Sequence, residues 1–230
     1  MAVNLMEGDS SYPTLSKLYE FFSPRSSKLT IWSFGLGYGG IETDLIESTG
    51  STVQVFDARE PSQGNFATIQ RILESHTTIE GDPEWTASLP NKWIQPSKLT
   101  LSTALPWYYD GAMVVNGVST SFSAISFTSV PRVDICKIDY PGLTYQIVYM
   151  LLTTGYRPGL LYIRWDEHPD EDVAAMLCAG HLQSSGYEMM KESGGFFLYR
   201  YIDECLYESC SWARSDCKNP MVAELTGPQQ

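Results

Sequence analysis

Apolar residues recur along this chain in two rhythms, extended and helical, and their alternation predicts the fold. Leu29, Ile31 and Trp32 form an apolar run that breaks into Gly35-Leu36-Gly37-Tyr38-Gly39-Gly40. Ile41, Leu45 and Ile46 then return at helical spacing, and Val53-Gln54-Val55-Phe56 is a second extended run that ends in Asp57. The stretch from Leu29 to Asp57 therefore reads strand, glycine loop, helix, strand, acid. Glycines allow a sharp turn and let a ligand lie against the main chain, a helix N-terminus offers free N–H groups, and a carboxylate at the tip of the second strand can accept both hydroxyls of a ribose. A glycine-rich turn by itself is also plain geometry in many α/β folds; the acid one strand later is what favours a nucleoside site.

The same rhythms continue on both sides. Leu15, Leu18, Tyr19 and Phe22 predict a helix from about Thr14 that Pro24 closes. A helix over 62–76 carries Phe66, Ile69 and Leu73 inward, the 77–95 stretch is a connection, and Lys98 to Ser102 is the third strand. The segment from Thr103 to Ser129, with Trp107, Tyr108, Tyr109 and Phe122, reads as a long aromatic loop, either a cover over a substrate or cofactor or an irregular packed crossover. Val133 to Ile138 is a buried strand ending at Asp139. A helix with Leu143, Ile147, Val148, Leu151 and Leu152 on one face follows, ending near Gly155. Gly159 to Trp165 is the next strand, opening into Asp166-Glu167-His168-Pro169-Asp170. The helix after it has an acidic first turn, an inward face of Val173, Met176, Leu177 and Leu182, and Gly186 at its end. Tyr187 to Lys191 and Phe196 to Tyr201 are joined by a link too short for a crossover, so they pair as an antiparallel hairpin. The expected architecture is α/β and Rossmann-like: a mostly parallel seven-stranded sheet ending in an antiparallel hairpin. Residues 29–202 form the domain, with a helical extension over 1–28 and a tail over 203–230.

Composition narrows the function mainly by exclusion. The chain has 230 residues and is 43% hydrophobic, enough for one α/β domain with a substantial core. Its net charge of −12 repels phosphate backbones and anionic lipid surfaces, so neither nucleic acid nor membrane is an expected partner. Cys136, Cys178, Cys205, Cys210 and Cys217 are odd in number and lack C-x-x-C spacing, which argues against a disulfide scaffold or a zinc site. No signal peptide, long apolar span or N-x-S/T acceptor is visible, and a cytoplasmic setting is expected.

The glycines alone do not choose the cofactor. Gly35, Gly37 and Gly39 fit the G-x-G-x-G turn of S-adenosylmethionine enzymes, and Gly35, Gly37 and Gly40 fit the dinucleotide version equally well. The terminal hairpin separates the two, because dinucleotide enzymes normally continue with parallel crossovers. With that hairpin, the turn Gly35 to Gly39, Asp57 in VFDAREP, the LTLSTAL run at Leu99 and VDICKIDYPGLTYQIVYML from Val133, residues 29–201 resemble a class I S-adenosylmethionine-dependent methyltransferase, most nearly of the FkbM type. One position departs from that family: two residues after Asp139, where it usually carries an acid, stands Pro141, followed by Gly142.

The resemblance implies that Gly35, Leu36, Gly37, Tyr38 and Gly39 bind the cofactor, with Gly35 and Gly37 letting the methionine moiety approach the backbone, that Asp57 holds the ribose, and that Ala58 and Arg59 lie near the adenosine. It also implies O-methylation of a hydroxyl on a sugar, glycan or other small-molecule acceptor. Methyl transfer needs an aligned acceptor oxygen and a group to take its proton. Asp139 and His168 are the candidates, both at predicted strand ends; the alternative role for His168 is capping the next helix. Asp139 with Asp166 or Glu167 could instead hold a magnesium ion, a cation that takes hard oxygen ligands. Two other functions stay open at this point: a nicotinamide-dependent oxidoreductase, and a non-catalytic methyltransferase-like binding protein.

Overall fold

Strand β1 (Thr30–Phe34) is buried on both faces, and this decides the layering. Its side chains alternate, so Ile31 points to one layer and Trp32 and Phe34 to the other. Ile31 joins Val53 and Val55 of β2 (Thr52–Phe56) under helices α1 (Gly40–Thr49) and α2 (Glu60–Ser75), against Leu45, Ile46, Ile69 and Leu73. Trp32 and Phe34 join Cys136 and Ile138 of β7 (Ile135–Ile138) on the opposite layer, against Ile147 and Leu151 of α3 (Thr144–Thr153) and Leu182 of α4 (Glu171–Ser184). Each such aliphatic side chain, fully withdrawn from water, contributes about 1.5–3 kcal/mol before entropy is counted.

The computed structural model describes residues 29–89, 93–125, 133–165, 171–193 and 196–202. The expected helix from Thr14 and the tail from Asp203 lie outside the described residues, as do the side chains of Val173, Met176 and Leu177. The main sheet has seven strands. With β3 (Leu99–Ser102), β8 (Leu160–Arg164), β9 (Tyr187–Ser193) and β10 (Phe196–Tyr201), the order is β3-β2-β1-β7-β8-β10-β9. The first five run parallel; β10 is antiparallel to both β8 and β9. The described strands start at the centre with β1, move out to β3, and return to the other side of β1, so the strand order reverses between β1 and β7. Open α/β sheets bind ligands in the crevice at that point, outside the carboxyl ends of the strands.

Element boundaries follow local chemistry. Helix α2 begins at Glu60, two residues before the serine expected to cap it, because Pro61 is accommodated in a first turn whose N–H groups have no helical partner. The 77–95 connection contains a short 3-10 turn at Glu84–Ser88.

The segment from Thr103 to Ser129 is a correction. Its described part is not a loop but a second sheet of β4 (Ala104–Trp107), β5 (Gly111–Val115) and β6 (Val118–Ala124), ordered β4-β6-β5. The hairpin from β5 to β6 turns on Asn116-Gly117, both at positive φ, the conformation a two-residue hairpin turn requires. Leu105, Trp107, Val115 and Phe122 join the core beneath it, with Trp107 and Phe122 4.9 Å apart.

Candidate active site

The reversal point is built around Gly35, the residue after β1. Its φ is +88°, and a Cβ there would fall 2.0 Å from the Asp139 carbonyl oxygen, so only glycine lets the ends of β1 and β7 meet this closely. The backbone ties four strand ends together: Gly35 N–H donates to Phe56 O at 3.1 Å, Asp139 N–H to Phe34 O at 2.9 Å, and Asp57 N–H to Ser102 O at 2.9 Å. A cleft of about 130 Å³ opens at the start of α1, lined by the turn from Leu36 to Gly40 and by Glu42, Lys137, Asp139 and Arg164.

Beneath the turn lies a polar group that the sequence reading did not single out. Lys137 is almost fully buried, and its Nζ donates to Gly35 O at 2.6 Å and to Glu42 Oε1 at 2.8 Å. Ser33 Oγ donates to the same Glu42 oxygen at 2.6 Å. Ser33 and Lys137 are register partners across β1 and β7, so alternation places both on the α1 side of the sheet. The available signal was a lysine within the otherwise apolar run ICKI: a buried cation needs a partner. Glu42 Oε2 has no hydrogen-bond partner and is buried at the cleft wall.

The second charged group lies at the tip of β2. Asp57 is fully buried and accepts from Leu36 N–H at 2.9 Å, Arg59 N–H at 3.0 Å, Arg59 Nε at 2.8 Å and Arg59 Nη2 at 2.6 Å. Burial pushes its pKa up, but the hydrogen bonds and charge of Arg59 outweigh that and hold it below the usual carboxylate range. The Arg59 guanidinium lies 4.5 Å from the centre of the Tyr140 ring. The Tyr140 hydroxyl is buried without a hydrogen-bond partner, and its pKa is raised, first by burial.

The residues expected at the site are thus largely together. Gly35, Leu36 and Gly39 are buried in the turn. Gly37 and Tyr38 are exposed, with open space where a Gly37 side chain would stand. Tyr38 lines the cleft with the rest of the turn and stacks on Trp85, with ring centres 5.5 Å apart. Ala58 is half-buried next to Asp57 and Arg59. Asp139 lines the cleft. His168, Asp166 and Glu167 lie outside the described residues. Among the described residues no group of three or more His, Cys, Asp or Glu is placed to hold a metal ion.

The aromatic segment sits elsewhere than a cover over the crevice would. Trp107 is core, and the Tyr108 hydroxyl bonds Thr153 Oγ1 at the far end of α3, away from the carboxyl ends of the strands. What approaches the crevice is the tip of the β5–β6 hairpin, where Asn116 Nδ2 donates to Pro141 O at 3.2 Å and packs on Gly142. Pro141, two residues after Asp139, thus meets the hairpin tip through its backbone carbonyl.

No protein-family model matches the sequence, and no curated protein matches it. Solved structures that resemble it include a methyltransferase FkbM from Methylobacillus flagellatus KT, with a TM-score of 0.51 and 17% identity over 84% of this chain and 49% of that one. A precorrin-6y C5,15-methyltransferase from Geobacter metallireducens GS-15 aligns with a TM-score of 0.46 and 12% identity, over 86% and 90% of the two chains. A ribosomal protein L11 methylase from Lactobacillus delbrueckii subsp. bulgaricus aligns with a TM-score of 0.43 and 9% identity, over 86% and 82%. The chain spans about half the length of the FkbM structure. At that identity the likeness establishes the fold: a class I methyltransferase sheet, mostly parallel, ending in an antiparallel hairpin.

Proposed function

We propose that the chain is an S-adenosylmethionine-dependent methyltransferase acting on a hydroxyl of a sugar, glycan or other small acceptor. The observation that carries the reading is Asp57 at the tip of β2, bonded to the Leu36 N–H of the glycine turn, at the reversal point of a sheet with methyltransferase topology. The residues fit the cofactor. The open space over Gly37 leaves room for a ligand against the main chain, and the first turn of α1 borders a cleft of a size for an amino-acid moiety. Asp57 has the chemistry to hold a ribose once its side-chain partner yields.

When bound, S-adenosylmethionine supplies an electrophilic methyl group on a sulfonium. The work of the protein is then to fix the turn, orient the acceptor and take a proton. Lys137 and Glu42 hold the Gly35 carbonyl, and so the turn, in place. Asp139 lines the cleft beside it, and its carboxylate is our candidate to accept the proton of the acceptor hydroxyl. His168 remains the second candidate base by its place in the sequence. The choice of a sugar rests on the FkbM resemblance alone.

The test is calorimetric titration with S-adenosylhomocysteine, with NAD in parallel, on wild type and Asp57→Ala. Wild type should bind S-adenosylhomocysteine and not NAD. Asp57→Ala should lose about 2–3 kcal/mol, roughly thirty- to a hundredfold in affinity. Equal affinity in the two proteins would remove Asp57 from the site, and preference for NAD would replace the reading with an oxidoreductase.

A further inference from the structure

We propose that the Arg59 guanidinium is a built-in occupant of the nucleoside seat, so that a ribose reaches Asp57 only as Arg59 leaves it. The inference rests on the nucleoside reading above and adds to it a competition internal to the chain. A carboxylate offers about four acceptor positions, and all four of those on Asp57 are taken. Two of the donors are backbone N–H groups, from Leu36 and Arg59, which the fold holds in place. The other two, Nε at 2.8 Å and Nη2 at 2.6 Å, are the fork of the guanidinium. A vicinal diol presents the same thing to a carboxylate: two donors side by side, one to each oxygen. Fork and diol are therefore alternatives, and Asp57 has no free position for the second while the first is bound.

Position agrees with chemistry. Arg59 Nη2 lies 3.1 Å from where a Cβ on Gly35 would stand, and the guanidinium lies against the ring of Tyr140. It fills the space between the glycine turn, the tip of β2 and the residues after β7, next to Gly35. It also has a way out. The Arg59 side chain is 23% exposed while that of Asp57 is not exposed at all, so the arginine is the partner that can move. The unoccupied seat is thus a minority state, and apparent affinity is lowered by the fraction of molecules in which the seat is open.

Calorimetric titration of the full chain with S-adenosylhomocysteine tests this through the direction of the change. Arg59→Met keeps the length of the side chain and removes the fork; it should bind about tenfold tighter than wild type. Arg59→Lys keeps the charge but not the paired donors, and should fall between the two, which preserves the test if Arg59→Met does not fold. Adenosine and 2′-deoxyadenosine add a second measure. Arg59→Met should gain more for adenosine, since only that ligand offers the complete diol. If both Arg59 variants bind equally to wild type or more weakly, while Asp57→Ala still loses binding, Arg59 is a ligand contact rather than an occupant. The inference then fails and the proposed function stands. If none of the proteins binds, or Asp57→Ala binds as wild type does, the proposed function fails and takes the inference with it.

Discussion

Two ion pairs flank Gly35, and they are built differently. Lys137 and Glu42 stand 95 residues apart in sequence, belong to β7 and α1, and are each no more than 2% exposed. Arg59 and Asp57 stand two residues apart in one loop, with the arginine side chain 23% exposed. The first pair joins elements that meet only in the folded chain, through the carbonyl of the glycine turn. The second is local and meets solvent on one side. A long-range pair without water is a fixture, because taking away one partner strands a charge. A local pair at a surface can exchange its partner for a ligand. One glycine turn thus has a fixed floor and, on the proposal above, an exchangeable lid.

The largest expected effect breaks that comparison if it fails. Lys137→Met leaves Glu42 buried without its cation and should lower unfolding free energy by about 3–5 kcal/mol in urea titrations. Arg59→Met should lower it by only about 1–2 kcal/mol, because Asp57 keeps two backbone donors. A greater loss in Arg59→Met than in Lys137→Met would reverse the assignment of floor and lid.

A third carboxylate sharpens the contrast through pH. Asp44, on α1, is buried, and burial together with the charge of Glu47 pushes its pKa up to about 6. The folded protein therefore holds a proton that the unfolded chain releases between roughly pH 4 and 6, so the contribution of Asp44 to stability falls as pH rises through that window. Asp57 has the opposite sign. Its pKa is lowered in the fold, so its contribution is present at neutral pH and is lost as pH drops below the ordinary carboxylate value. Asp44→Asn should accordingly stabilise the protein by about 1–3 kcal/mol at pH 7 and by little at pH 4, read from thermal melts across that range. A gain of equal size at both pH values would mean that Asp44 is not titrating as its burial requires.

The smallest effect concerns the second sheet. Asn116→Ala removes a residue suited to positive φ and the hydrogen bond to Pro141 O, and should cost about 1 kcal/mol. Because the hairpin tip touches the loop after β7, hydrogen exchange should rise at both places rather than in the hairpin alone.

How much of this was legible differs element by element. The order of strands and helices around Gly35, the terminal hairpin and the position of Asp57 could all be read from apolar spacing and glycine placement, since period two and period 3.6 are properties of the chain itself. The second sheet was readable in principle. Asn116-Gly117 is a hairpin signal, but the aromatic residues around it do not alternate cleanly, and the segment reads as a loop when the turn is passed over. The candidate site could be drawn up as a list and not as an arrangement. Gly35, Asp57 and Asp139 were singled out because each stands at a strand end, and parallel strands bring their carboxyl ends to one edge.

By itself, then, the sequence determined which segments of the main sheet and its covering helices form, where they turn, and which acid stands at the tip of β2. The tertiary structure alone decided which charges meet. Nothing within several residues of Lys137 announces Glu42, 95 positions earlier; the pairing exists because β7 returns beside β1 and presents Lys137 on the face that α1 covers. Likewise Arg59 is adjacent to Asp57 in any conformation, but the packing of Tyr140 and Gly35 around its guanidinium is set by the fold. Local periodicity is written along the chain, whereas the partner of a buried charge is chosen by whatever the fold brings within about 3 Å of it.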